Sequence, residues 1–219
     1  RVAARMQSMA VAKTRRLAAV AAAASEPGEP GALSPAFVCA AINRALRSDD
    51  IVVNEGIRNA PVVLNQIARD VPLTLISSAG GGLGYSGGMA LGARLARPGQ
   101  RVVQIVGDGG FHFSTPTSVY AVAQQYALPI LTVVLDNGGW QAVREATLRM
   151  YPNGVAASID QFQARLGGEK RDFAQVAQAF GAHGETVTDP EALEAAIARC
   201  FQAVDAGQAA VLVACIKPF

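Results

Sequence analysis

The stretches VVQIVGDGG (residues 102–110) and ILTVVLDNGG (residues 130–139) decide the fold of this chain. Each is an apolar, β-branched run that stops at a glycine-rich turn, and buried parallel strands have this appearance in sequence. In open α/β sheets, ligands gather outside the carboxyl ends of the strands. Because both turns carry side-chain oxygens, the two stretches predict neighbouring strands with a ligand site at their ends.

The rest of the chain alternates between short apolar runs and helical segments. A Ser or Thr before Pro, as at Ser34-Pro35 and Thr115-Pro116, is typical of a helix start. Further strands are predicted at residues 51–54, 73–77, 186–187 and 210–214. About six strands that alternate with helices predict an α/β fold: a doubly wound, mostly parallel six-stranded sheet with helices on both faces.

Composition and charge exclude several classes of protein. Among the 219 residues, 51% are hydrophobic and 16% are charged, which is typical of a globular chain. The 19 basic and 17 acidic residues nearly cancel, and no basic stripe with interleaved aromatic residues occurs, so no nucleic-acid partner is expected. No apolar run approaches the roughly 20 residues that span a bilayer, so no membrane partner is expected. The three cysteines are widely spaced in apolar runs, which predicts buried, reduced thiols and a cytoplasmic location.

The first 25 residues are Ala-rich and carry five Lys or Arg and no acidic residue. Such a segment is typical either of a transit peptide or of a helical linker from a preceding domain. The linker is favoured because the chain does not begin with Met. The sequence EPGEPG at residues 26–31 breaks any helix, which predicts a linker over residues 1–31 and a globular domain over residues 32–219.

The two glycine-rich turns supply the oxygen donors that a hard cation prefers. Asp108 and Asn137 are 29 residues apart with one predicted helix between them, so they belong to consecutive strands. Mg²⁺ takes six oxygen ligands, commonly one or two carboxylates with phosphate oxygens and water. The Asp108 carboxylate, the Asn137 amide oxygen and the Gly139 carbonyl would leave positions for two diphosphate oxygens and one water. The N–H groups of Gly109 and Gly110 favour an anion beside that cation.

Gly107-Asp108-Gly109, then a helix, then LDNGGW at residues 135–140 resembles the thiamine diphosphate-binding motif. The similarity is to the C-terminal diphosphate-binding domain of acetolactate synthases, benzoylformate decarboxylases and pyruvate decarboxylases. Asn54-Glu55-Gly56 at a strand end and the glycine cluster of residues 80–85 also resemble that domain. The resemblance covers residues 34–215 and implies that the globular part is a thiamine diphosphate-binding domain.

The resemblance assigns roles to individual residues. It implies that Asp108, the Asn137 side chain and the Gly139 carbonyl bind Mg²⁺. It also implies that Leu83 wedges under the cofactor and bends it, although ordinary helix packing accounts for a Leu there equally well. The cofactor-binding residues so predicted are Asn54, Gly56, Ile57, Gly81, Gly82, Leu83, Gly107, Asp108, Gly109, Gly110, Asn137, Gly139 and Trp140.

The chain departs from the family pattern at several positions. Asp136 stands where the family usually has Asn, and Asn54-Glu55 is followed by Gly56-Ile57-Arg58-Asn59, where small hydroxyl residues are more usual. Whether Arg58 meets a phosphate or solvent stays open. Val143 is apolar, as in the benzoylformate type, which disfavours simple acetaldehyde formation. His112 is expected to pack or to be exposed rather than to act as a general base.

The resemblance implies part of an enzyme that uses thiamine diphosphate and Mg²⁺ to decarboxylate or ligate a 2-oxo acid. No catalytic side chain is expected in this chain, because the family's activating Glu lies in a pyrimidine-binding domain of the same or another chain. The isolated chain is therefore expected to be inactive, and the enzyme to be a homodimer or homotetramer; binding of FAD stays open.

Two other functions remain open from the sequence. A nicotinamide-binding dehydrogenase domain is favoured by the doubly wound pattern, but a dinucleotide pyrophosphate prefers bare glycines where this chain has Asp108. The second open function is that of a non-catalytic subunit that has kept the fold. Binding of thiamine diphosphate, with and without magnesium, separates all three.

Overall fold

A six-stranded, wholly parallel sheet lies at the centre of the part of the chain that the computed structural model describes, residues 1–77, 82–167 and 172–217. The predicted α/β class and sheet are confirmed. Two short strands before the sheet form an antiparallel hairpin, β1 (Gly28–Glu29) with β2 (Ala32–Leu33). The strands of the sheet are β3 (Ile51–Glu55), β4 (Leu75–Ser77), β5 (Val102–Gly107), β6 (Leu131–Asp136), β7 (His183–Val187) and β8 (Ala210–Cys215).

The strand order is β4-β3-β5-β6-β8-β7, with every pair parallel. From β3 the chain passes to β4 on one side and then crosses back to β5 on the other. This reversal opens a crevice between β3 and β5 at the carboxyl ends of the strands, where doubly wound sheets bind ligands. The register pairs Gly107 at the end of β5 with Leu135 near the end of β6, so both glycine-rich turns emerge at the same edge.

Helices cover both faces of the sheet. One face packs against α2, α3 and α10, and the other against α4, α5, α6 and α9, through separate clusters of buried apolar side chains. The helices are α1 (Val2–Ser25), α2 (Pro35–Ala45), α3 (Ala60–Gln66), α4 (Ser86–Ala96), α5 (Asp108–Phe113), α6 (Pro116–Gln125), α7 (Gln141–Met150), α8 (Val155–Ser158), α9 (Phe173–Gln178) and α10 (Leu193–Asp205).

The helix starts show which local signals act as expected. The Ser34 hydroxyl accepts a hydrogen bond from the Phe37 N–H at 3.4 Å and so caps α2. Thr115 precedes α6 without a side-chain cap and lies in the left-handed region, with φ of 55°. The turn after β5 is itself helical, because α5 begins at Asp108 instead of leaving an open loop before α6.

The N-terminal helix α1 buries none of its own side chains. It lies along α2 and α3, and Gln66 donates a hydrogen bond from its side chain to the Val20 carbonyl at 3.0 Å. The helix ends at Ser25, and the hairpin of β1 and β2 follows where EPGEPG predicts a break. Across the described residues, no helix combines the length and the apolar character needed to cross a bilayer.

The three cysteines are free thiols. Cys39 and Cys200 are buried, as expected from their apolar surroundings, and burial raises the pKa of each thiol to about 12. Cys215 is half-buried at the end of β8. Both buried thiols are thus kept in the protonated, unreactive form.

Candidate cofactor site

A pocket opens at the carboxyl ends of β3, β5 and β6, beside the point where the strand order reverses. Ligands of doubly wound sheets bind at this place. Most of the residues that the sequence predicts to bind a cofactor line it: Gly56, Ile57, Leu83, Gly107, Asp108, Gly109, Gly110, Asn137, Gly139 and Trp140.

Among the described residues, two of those predicted to bind the cofactor, Asn54 and Gly82, are not in the lining. Gly81 lies outside the described residues, and Gly82 is exposed at the edge of the described part. Asn54 is buried below the pocket, where its Oδ1 accepts from the Gly56 N–H at 3.0 Å and its Nδ2 donates to the Ala60 carbonyl at 3.4 Å. Asn54 therefore shapes the turn after β3 instead of facing a ligand.

The Asp108 carboxylate links the tips of β5 and β6. Its Oδ1 accepts from the N–H of Gly109 at 2.9 Å, and its Oδ2 accepts from the N–H of Gly138 at 2.7 Å. The Gly138 N–H is shared with Oδ1 of Asp136 at 3.0 Å. The two turns that the sequence predicts to be neighbours are thus held together by the predicted cation ligand itself.

Two carboxylates crowd this point. Burial, and then the hydrogen bond and negative charge of Asp136, raise the pKa of Asp108 above its usual range, while the N–H groups of Gly109 and Gly138 act in the opposite direction. A divalent cation beside Asp108 would favour its ionised form and offset the repulsion. The electrostatics of the site therefore suit a bound cation.

The turn after β6 is closed by a second segment of chain. The Asn137 side chain accepts from the Gly139 N–H at 3.2 Å, which fixes its amide oxygen at the turn. The Trp140 N–H donates to the Ala164 carbonyl at 2.7 Å, and the Leu166 N–H donates to the Gly138 carbonyl at 2.9 Å. The stretch around residue 165 therefore holds this turn in place from outside the pocket lining.

Trp140 and the glycines of α5 fit against each other. A Cβ on Gly109 would lie 2.3 Å from Cδ1 of Trp140, so the indole occupies the space that a side chain at position 109 would need. His112 is exposed and meets the indole edge-on, with ring centroids 6.0 Å apart, as expected for packing or exposure. The Trp140 Nε1–H is buried and has no hydrogen-bond partner within the described ranges.

Glu55 is a residue of the site that the sequence analysis missed. Its side chain is 1% exposed, and its carboxylate accepts from the N–H of Gly84 at 2.5 Å and from the N–H of Ser86 at 3.0 Å. The Tyr85 hydroxyl also donates to the Asn54 carbonyl at 2.7 Å. The end of β3 thus binds the start of α4, where the helix dipole favours a negative charge. This contact positions Leu83 at the pocket. In the sequence, its one signal is that a charged residue, Glu55, ends an apolar strand.

We expect Glu55→Ala to lower the free energy of unfolding by about 2 kcal/mol, because two buried N–H groups lose their acceptor. Glu55→Gln keeps one oxygen acceptor and nearly the same volume, and should cost less than half as much. Urea unfolding followed by circular dichroism measures both. Equal stability of Glu55→Ala and the unchanged chain would contradict the role given to this carboxylate.

Comparison with known proteins places this geometry in a context. A family model described as "Thiamine pyrophosphate enzyme, C-terminal TPP binding domain" matches residues 59–214. The chain is 33% identical over 121 residues to the acetolactate synthase large subunit of Mycobacterium tuberculosis, covering 55% of this chain and 20% of the relative. It is 32% identical over 119 residues to benzoylformate decarboxylase of Pseudomonas aeruginosa, covering 54% of this chain and 21% of the relative.

Solved structures give the same picture. The chain superposes on a thiamine diphosphate-dependent 4-hydroxybenzoylformate decarboxylase of Rhodococcus jostii RHA1 with a TM-score of 0.72 and 25% identity, over 86% of this chain and 33% of that chain. Benzoylformate decarboxylase from Polynucleobacter necessarius shares the fold, with a TM-score of 0.69 and 23% identity over 85% of this chain and 34% of that chain. The chain spans about a fifth of the length of the curated relatives it matches.

Proposed function

The chain belongs to the thiamine pyrophosphate enzymes, of which it carries the C-terminal cofactor-binding domain, and from this premise we propose that it binds thiamine diphosphate through Mg²⁺. The observation that carries the proposal is the Asp108 carboxylate, which links the tips of β5 and β6 at the edge where Asn137 and Gly139 also line the pocket. When bound, the cofactor would supply a nucleophilic carbanion and an electron sink for chemistry at a carbonyl carbon.

The residues present fit such a group. Carboxylate, amide and carbonyl oxygens from Asp108, Asn137 and Gly139 are the hard donors that Mg²⁺ prefers. Glycines at 109 and 110 leave the backbone open to a close approach, which a diphosphate requires. The buried Trp140 Nε1–H, which has no hydrogen-bond partner among the described residues, is a further donor on a residue that lines the pocket. In this proposal the chain anchors the diphosphate, and Leu83 supports the bent cofactor from below.

We further propose that the complete enzyme acts on a 2-oxo acid, by decarboxylation, carboligation or both. The names of the acetolactate synthase and benzoylformate decarboxylase relatives support this class. A pyrimidine-binding domain, on the same or another chain, would supply the activating carboxylate and complete the site. The assembly as a homodimer or homotetramer, the cytoplasmic location and the division at residue 31 stay predictions from the sequence.

Calorimetry of the purified chain tests the proposal. We expect thiamine diphosphate to bind in the presence of Mg²⁺ and to bind at least about tenfold more weakly after chelation of the metal, because the cation would offset the repulsion between the Asp108 carboxylate and the diphosphate. Binding of NAD instead would support the dehydrogenase alternative, which the family match disfavours. Binding of neither ligand would support a non-catalytic subunit and contradict the proposal.

A further inference from the structure

Arg58 is the cationic side chain of the pocket. Of the described residues that line the pocket, Arg58 and Asp108 are the two with charged side-chain groups, and Arg58 alone is positive. The diphosphate of the cofactor carries several negative charges, whereas the one positive and one negative side chain that line the pocket give it little net charge. A cation that the chain itself supplies would therefore add directly to the affinity for a diphosphate.

The residue before Arg58, Ile57, has a strained backbone conformation and lines the pocket. Ile57 has φ of +44°, in the left-handed region that a β-branched side chain rarely enters, and its side chain is 52% exposed. Ile57 opens the short helical turn Ile57–Asn59 that follows β3, and all three residues line the pocket. Such strain persists where surrounding structure imposes it and occurs often at ligand sites. Here it accompanies the turn that carries Arg58.

Glu145 of α7 holds the guanidinium by one nitrogen. Its Oε1 accepts from Nε of Arg58 at 2.5 Å, and this contact holds the pKa of the Glu145 carboxyl below its usual range. Gln141 donates to the same oxygen at 3.3 Å. The pair is partly exposed, at 47% and 37% of the two side chains. Within the described ranges no hydrogen bond engages the terminal nitrogens of Arg58, so both remain for a ligand.

We propose that Arg58 binds the diphosphate of the cofactor through its terminal guanidinium nitrogens, and that Glu145 is a positioning residue that orients the guanidinium from the Nε side. The inference rests on the proposed function. Arginine suits this role because its planar fork donates parallel hydrogen bonds to a phosphate while a third donor stays with a carboxylate. The pair also ties α7 to the turn after β3, so the ligand would meet a cation whose geometry is already set.

The test compares binding of two probes, thiamine diphosphate and inorganic pyrophosphate, each with Mg²⁺, by calorimetry and by quenching of Trp140, the single tryptophan. Arg58→Ala should weaken both probes by a similar factor of about 10 or more, because both lose the same charge-assisted contact. Arg58→Lys keeps the positive charge but lacks the planar fork of donors, so its affinity for each probe should lie between those of Arg58→Ala and of the unchanged chain. Arg97→Ala, which removes an exposed charge at the end of α4 and outside the pocket, is the matched control and should change neither by more than about twofold.

Glu145→Gln tests whether Glu145 orients Arg58 for the diphosphate or competes with the diphosphate for Arg58. If Glu145 orients Arg58, this variant weakens both probes by about threefold; unchanged or tighter binding would overturn its role. Wild-type-like binding by Arg58→Ala, or a loss confined to thiamine diphosphate, would overturn the contact between Arg58 and the diphosphate. Failure of the unchanged chain to bind either probe would instead contradict the proposed function. Thermal unfolding of each variant verifies folding, since the exposed ion pair contributes little stability.

Discussion

Asp108→Ala should abolish the magnesium-dependent binding of thiamine diphosphate, with an expected loss of at least about 100-fold in affinity, because the cation would lose the one carboxylate proposed to bind it. The same substitution removes the acceptor of the Gly109 N–H and one of the two acceptors that the Gly138 N–H shares. It therefore loosens the junction between the tips of β5 and β6 as well. Titration of the variant with cofactor, with and without Mg²⁺, measures the effect.

Two further variants separate charge from structure. Asp108→Asn retains an oxygen that can accept from the Gly138 N–H but removes the negative charge, so it should keep most of the stability and still lose metal-dependent binding. Asp70→Asn is the control: it removes an exposed carboxylate outside the pocket and should leave binding within about threefold. Magnesium-dependent affinity of Asp108→Ala equal to that of the unchanged chain would disprove the assignment of Asp108.

Gly139→Ala should lower the free energy of unfolding by about 3 kcal/mol or more, which for a chain of this size is about 6–12 °C in melting temperature. A Cβ at this position would lie 2.2 Å from the Ala164 carbonyl oxygen and 3.0 Å from the Arg165 Cα. Both are backbone atoms, so the two segments must separate. The hydrogen bond from the Trp140 N–H to Ala164 would be lost with them.

Gly92→Ala is a matched control for this prediction. Gly92 lies within α4, and a Cβ there meets no atom within 4 Å, so alanine should stabilise the helix by about 0.5–1 kcal/mol. Differential scanning calorimetry of both variants gives the two shifts, which should be opposite in sign. A melting temperature of Gly139→Ala within a degree of the unchanged chain would mean that the turn and the stretch around residue 165 are not packed as described.

The sheet was largely predictable because its signals are local. Residues 102–107 and 131–136 are nearly continuous apolar runs, and a strand buried on both faces needs such a run whatever its neighbours are. The predicted strand at 186–187 was too short, since β7 begins at His183. The residues of β7 that the prediction left out, His183 to Glu185, are half-buried in an edge strand and have no apolar side chains. They therefore lack the apolar run that marks a buried strand in sequence.

The lining of the pocket was predictable where its residues belong to the two strand ends. Asp108, Asn137 and Gly139 follow apolar runs directly, and parallel strands bring such ends to one edge. Glu55 escaped the sequence analysis because its partners, Gly84 and Ser86, are 29 and 31 residues away. Asn54 belongs to the same quoted motif, yet the alternation of a strand points it away from the pocket.

The sequence by itself determined the parallel α/β class, the two turns with their oxygen donors and the family, because each depends on residues that are close together in the chain. Only the tertiary structure decided that Arg58 meets Glu145, 87 residues away, and that the stretch around residue 165 closes the turn at Gly139. Contacts of this kind depend on strand order and on how loops pack across the sheet edge. Strand order and loop packing are set by interactions between distant parts of the chain, which together determine the fold of lowest free energy. A short stretch of sequence therefore does not reveal them.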